Sequence, residues 1–209
     1  MAMFDKVISL WRSEDLLSQA WEESFEMMLL SNEMFSAAIN YLRRGEKIKT
    51  LKNLKKRDRE INQYQKSVRK KVVTHFSVTQ RIDDLPNGLV LLNIVVDVER
   101  LGDYTKNILD LAIHYPDPLV SEDCLGPLKE IEDDIQSRFS NTLRAIEKQD
   151  EKLADKLLKS YRKSFSNMSD KIVNDTISGN KQYTDQKEAA AVTLYACLLY
   201  TSPSPRDVP

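Results

Sequence analysis

The sequence predicts an all-α protein, two tandem three-helix bundles. Three observations carry that prediction. Glycine is scarce, 5 in 209 residues, and the prolines fall at segment ends, which favours long helices over a turn-rich β fold. Apolar residues recur at three-four spacing along several long segments, the seam of a helix packed in a bundle. The segments fall into two groups of three, separated by the proline-rich stretch Tyr115-Pro116-Asp117-Pro118.

The first segment runs from about Val7 to Leu42, with Leu10, Leu17, Trp21, Met28, Phe35, Ala38 and Leu42 as its seam. Arg43-Arg44-Gly45 supplies bases for the last turn and a glycine stop. The second runs from about Ile48 to Gln80. Its seam is Leu51, Leu54, Asp58, Ile61, Gln65, Val68 and Val72, so Asp58 and Gln65 stand where an aliphatic side chain packs better. A buried carboxylate is costly without compensation, so Asp58 needs a base, a proton or a metal, unless the seam lies at the bundle edge beside a Lys or Arg.

Asp83-Asp84-Leu85-Pro86 marks the third start, an acidic cap with proline in the first turn. That segment continues to about His114 with a core stripe of Leu91, Ile94, Val98, Leu101, Ile108 and Ala112. A neighbouring line begins apolar at Leu92 and Val96 and turns acidic at Glu99 and Asp103, followed by Asn107 and Asp110. Glu99 and Asp103 lie one turn apart on the same face, a like-charge pair costing a few tenths of a kcal/mol.

Residues 121–196 are expected to form the second bundle, with segments at about Cys124–Lys148, about Glu151–Ser178 and from about Asp185. Gly179-Asn180 ends the middle one. The chain then runs into Cys197-Leu198-Leu199-Tyr200-Thr201-Ser202-Pro203-Ser204-Pro205-Arg206-Asp207, whose prolines no helix contains. This string resembles a translated frame of a transposase-type sequencing adapter. Residues 197–209 are therefore expected to be a non-native tail that truncates the last helix. Loss of that helix leaves Ile131, Ile135, Leu143, Leu157 and Val173 exposed, each worth about 1.5–3 kcal/mol when buried.

Composition narrows the functions. Apolar residues make up 41% and charged residues 30%, the net charge is −1, and no stretch approaches the roughly 18 apolar residues of a membrane span. The start lacks a basic and apolar leader, so a cytoplasmic location is expected. Two cysteines and two histidines build neither a disulfide framework nor a thiolate or histidine-rich metal site. His75 reads as a helix-end residue, and His114 suits the negative end of the third helix.

Charge is unevenly spread: acids dominate from Asp5 to Glu33, bases from Lys47 to Lys71. The basic run either meets an anionic partner such as a membrane surface or phosphate-rich ligand, or is a solvated face beside an acidic helix, the simpler reading. Nucleic-acid binding lacks interleaved aromatics beyond Tyr64.

The string Asp97-Val98-Glu99-Arg100-Leu101-Gly102-Asp103, with Asn107-Ile108 after it, resembles the signature helix of the PhoU family, phosphate-signalling accessory proteins. Asp58-Arg59-Glu60-Ile61-Asn62 on the preceding helix is also in the family's style. The resemblance is specific over residues 50–112 and architectural elsewhere.

It implies two three-helix bundles, the first over residues 1–115, and metal ions such as iron or zinc held by acid-x-x-x-acid faces. Glu99, Asp103 and Asp58 would be the ligands. Asp97, Arg100, Gly102, Asn107 and Asn62 support the motif: Arg100 would pair with a carboxylate, and Gly102 would admit a neighbouring helix or an ion. Asn62 stands where the family more often has an acid, which weakens the site, since hard ions favour several negative oxygen ligands.

The implied function is a non-enzymatic regulator that links a phosphate transporter to its sensor kinase and damps uptake and starvation signalling. It would meet the membrane through these partners only, with a homodimer as a further option. No phosphate-cradling loop, Walker motif or nucleophile–histidine pair occurs. The alternative is a carboxylate-bridged metal-binding bundle protein or enzyme, but the Glu-x-x-His motif of di-iron bundles is absent.

Overall fold

Helix α1 (Leu16–Arg44) begins where Asp15 accepts a hydrogen bond from the Ser18 backbone N–H at 2.9 Å, an N-cap that satisfies an otherwise orphaned donor. The computed structural model describes residues 15–44, 48–79, 81–115, 117–119, 122–159 and 164–200, without the side chains of 48, 122–125, 164–166 and 200. The cap places the start of α1 later than the hydropathy pattern does; Val7 and Leu10 lie outside the described residues, as does Gly45. The remaining seam holds: Leu17, Met28, Phe35, Ala38 and Leu42 are buried, with Trp21 packed at the edge.

The second segment is not one helix but two, α2 (Ile48–Lys56) and α3 (Asp58–Thr79). At the junction the Arg57 N–H donates to the Leu54 carbonyl and the Glu60 N–H to the Arg57 carbonyl. These tight i to i+3 bonds break the α-helical ladder for one residue. Ile61, Val68 and Val72 are nonetheless fully buried, as the heptad spacing requires.

A single 3-10 turn (Ile82–Asp84) leads into α4 (Leu85–His114), with Pro86 in its first turn. Asp84 occupies the N-cap position, but its carboxylate makes no cap bond. It pairs instead with His75 Nε2 at 3.0 Å. His75, in the last turn of α3 as its reading as a helix-end residue has it, is buried. At the other end of α4, the Nδ1–H of His114 donates to the Asp110 carbonyl at 2.8 Å.

Helices α1, α3 and α4 pack mutually as a three-helix bundle, with α2 against α4. After α4 the chain is tied back by the Leu119 N–H, which donates to the Leu42 carbonyl at the end of α1. Pro116 and Ser121, at the expected boundary, lie outside the described residues.

The second half comprises α5 (Glu122–Lys148), α6 (Glu151–Lys159), α7 (Ser164–Ile177) and α8 (Gln186–Tyr200). Helix α7 ends as its glycine predicts: Gly179 adopts φ +70° and the Asn180 N–H reaches back to the Asp175 carbonyl, a left-handed cap that favours glycine. Helix α8 opens with a reciprocal cap. The Glu188 N–H donates to Asp185 Oδ1, and the Thr184 N–H donates to Glu188 Oε2, both at 2.8 Å.

The expectation of bare apolar faces in the second half does not hold. Helix α8 runs through Tyr200, and it buries Val192, Tyr195, Ala196 and Leu199. Ile131 and Leu143 are buried, and Ile135 packs against the core; Leu157 and Val173 are half-buried. Residues 201–209, the rest of the adapter-like string, lie outside the described residues. The buried side chains of both halves join one continuous core, because α5 packs on α1 and α8 packs on α4 as well as on α7. Helix is the only regular structure among the described residues.

Candidate functional site

The acidic line of α4 faces the start of α3, where Asp58 is the first helical residue. Asp58 is buried, and it has the base that its position demanded. Lys106, one turn beyond Asp103, places Nζ 3.2 Å from Asp58 Oδ2 and 3.6 Å from Asp103 Oδ1. Burial works against the Lys106 charge. The hydrogen bond to Asp58 and the two carboxylate charges outweigh it and hold the ammonium above its ordinary pKa. Asn62 completes the set from one turn along α3, its amide donating to the Asp58 carbonyl at 3.0 Å and to Oδ2 at 3.4 Å. An acid at position 62 has no proton to give at neutral pH, so an asparagine serves this arrangement better than an acid would.

Glu99 borders the same cluster. Its pKa is pushed above the ordinary carboxylate value, first by partial burial and then by the charges of Asp103 and Asp58; Arg69 and Arg100 oppose the shift. The three carboxylates singled out from the sequence are thus neighbours, and two of them, Asp58 and Asp103, share the Lys106 ammonium.

That arrangement is a poor fit for a metal ion. A lysine Nζ bridges two of the three acids, and among the described residues no group of three or more His, Cys, Asp or Glu is disposed to hold one. Hard divalent ions need several oxygen ligands directed at one point.

The supporting residues separate into distinct roles. Arg100 lies 3.7 Å from Asp97, an exposed i,i+3 pair on α4, in keeping with a carboxylate partner. Gly102 is buried against α3, where an added Cβ would meet Ile61 Cδ1 at 2.8 Å and Cγ2 at 3.3 Å. Its freedom is used to admit the neighbouring helix. Asn107 is exposed. Asp110 pairs with Lys55 of α2, which ties that short helix to α4.

Sequence reasoning missed Lys106, although the Asp103-x-x-Lys106 spacing carried the signal. It also missed Gly88, where a side chain would collide with Phe76 and meet Val72 Cγ1 at 3.2 Å. A third omission is the buried triad that joins the two halves. Arg43 of α1 and Tyr195 of α8 both bond to Glu132 Oε1 of α5, each at 2.6 Å. Burial first, then Glu132, pushes the Tyr195 phenol well above its ordinary pKa, so it remains a donor. Nothing local in the sequence brings together three residues so far apart.

On its other side α4 lines an apolar cleft of about 310 Å³ with α1 and α5, between Met28, Ile94, Leu101 and Phe139, with Asp97 and Arg138 also lining it. The described helices include none long and apolar enough to cross a membrane.

Fold and site together define a helical-bundle protein whose polar signature lies along one face of α4, beside the start of α3. Residues 25–112 match the family model described as PhoU domain. Over these residues the chain is similar to a PhoU domain. The match covers most of α1, all of α2 and α3, and α4 as far as Ala112, so it includes the whole acidic cluster and its lysine. Comparison with curated proteins gives no significant match.

Proposed function

We propose that this protein is a non-enzymatic negative regulator of phosphate uptake and of the phosphate-starvation response, acting in the cytoplasm by docking to a phosphate transporter and its sensor kinase. The PhoU-domain match over residues 25–112 is the observation that supports this reading. The signature helix α4 fits a docking role, since its polar line from Glu99 to Asp110 is half-buried to exposed while its opposite stripe is core. The Lys106 bridge holds α3 and α4 in one register and neutralises part of the acidic face. A metal-dependent form of the role requires that ammonium to be displaced, and the docking function is proposed without it.

The test is complementation in cells deleted for their own regulator of this family, combined with crosslinking to the tagged full chain. Restored repression of a phosphate-starvation reporter in high phosphate, with recovery of a transporter subunit or the kinase, is the expected result. Unrepressed reporter with neither partner captured, from a chain that is stably expressed, refutes the proposal.

A further inference from the structure

The basic run on α2 and α3 is divided by the fold into two sets. One set is neutralised by carboxylates of α1 and α4: Lys71 by Glu23 at 3.0 Å, Arg57 by Glu33 at 2.7 Å, and Lys55 by Asp110. The acidic character of α1 is spent partly there. The other set points outward. Lys49, Lys52 and Lys56 follow one another at three-four spacing on α2, and Arg59, Lys66 and Lys70 at seven-four spacing on α3, so each trio lines one helix face. All six are exposed, and none enters a salt bridge among the described residues. A chain of net charge −1 thus presents a strongly cationic strip.

The strip does not end in solvent-compatible residues. Val73 continues the Arg59–Lys66–Lys70 line by one more turn and is exposed. Beyond it the α3–α4 hairpin carries Val78 and Ile82, 74% and 81% exposed, and then exposed Leu85 and Leu89 on one face of α4. Large aliphatic side chains concentrated at one tip, contiguous in the chain with a cationic face, are unusual on a free surface. Cations are attracted to anionic headgroups over a Debye length, and exposed aliphatic side chains gain by entering the acyl boundary. An acidic protein groove satisfies the first feature and leaves the second unexplained.

We propose that the outer face of α2 and α3, with the hairpin tip at Val78, Ile82, Leu85 and Leu89, docks directly on an anionic lipid surface. The lysines and Arg59 meet the headgroups and the tip inserts its aliphatic side chains. This contact is independent of the phosphate-regulator reading, and either stands if the other fails.

The full chain is tested by co-sedimentation with phosphatidylcholine vesicles with and without phosphatidylglycerol. Binding to the anionic vesicles alone, weakened by raised salt, is expected. Each cation removed from an anionic surface weakens binding about fivefold. Lys66→Glu with Lys70→Glu should therefore lower the affinity by at least about 25-fold, and Ile82→Ser with Leu85→Ser should also lower it. Lys152→Glu with Lys156→Glu makes the same change of charge on exposed positions of α6 and should bind as the parent does. Circular dichroism confirms that each variant is folded. Equal binding to neutral vesicles, or an equal loss in the α6 variant, overturns the proposal. So does binding to poly-glutamate without binding to anionic vesicles, which assigns the face to an acidic protein instead.

Discussion

Replacing Gly102 with alanine sets two known effects against each other in one place. In an exposed helix the change stabilises by about 1 kcal/mol, because alanine loses less backbone entropy. Here the new Cβ lies 2.8 Å from Ile61 Cδ1 and 3.3 Å from Cγ2, against ordinary carbon contacts of about 3.5–4.0 Å. Ile61 is fully buried, so it has little room to turn away, and overpacking of this kind costs about 1–3 kcal/mol. The sum ranges from about neutral to about 2 kcal/mol destabilising.

The second variant fixes the cause. Ile61→Val deletes Cδ1, the nearer of the two clashing atoms, at about 0.5–1.5 kcal/mol by itself. In that background Gly102→Ala should become neutral or stabilising by up to about 1 kcal/mol. The cycle should therefore show a favourable coupling of about 1–2 kcal/mol, within the range found for residues in contact. Urea unfolding followed by circular dichroism measures all four proteins. If Gly102→Ala stabilises equally in both backgrounds, the glycine is not there for close approach. If its cost is unchanged by Ile61→Val, the obstacle is not Ile61.

The remaining expectations concern charge and the link between the halves. Lys106→Met leaves the buried Asp58 carboxylate without its cation and should cost about 1–3 kcal/mol; adding Asp58→Asn should recover part of that loss, and thermal melts of the two variants decide it. The raised pKa of Glu99 means that the folded state holds its proton more tightly than the unfolded chain does. Its contribution is therefore neutral at low pH and becomes destabilising as pH rises through the unfolded value of 4.5 toward the higher folded one. Glu99→Gln should raise the melting temperature at pH 7 and lose that advantage below the unfolded value; the same gain at both pH values contradicts the account. Tyr195→Phe removes the buried hydrogen bond to Glu132 and should destabilise by about 1–2 kcal/mol, and an unchanged unfolding midpoint argues that the triad does not hold α8 to α5.

The helix class and most of the core were legible in the sequence because they are local. Three-four spacing places Leu17, Ile61, Val68, Leu91 and Ile108 on buried stripes whatever they pack against. The proximity of Glu99 and Asp103 followed from the same geometry, and the oddity of Asp58 from its seam position. Gly179 announced the end of α7 because a left-handed residue is needed there.

Only the tertiary structure decided what those groups do. The answer to Asp58 is Lys106, on another helix and 48 residues away, and a base, a proton and a metal all satisfy the same sequence constraint until the fold supplies one of them. It also decided which cations are neutralised and which face outward, since Lys55 and Lys56 are adjacent in the chain and differ only in the helix face that meets α4. The Tyr195–Glu132 bond of the triad likewise depends on α8 returning to α5. Periodicity states that a face will be buried; the choice of partner is a long-range event that only the folded chain records.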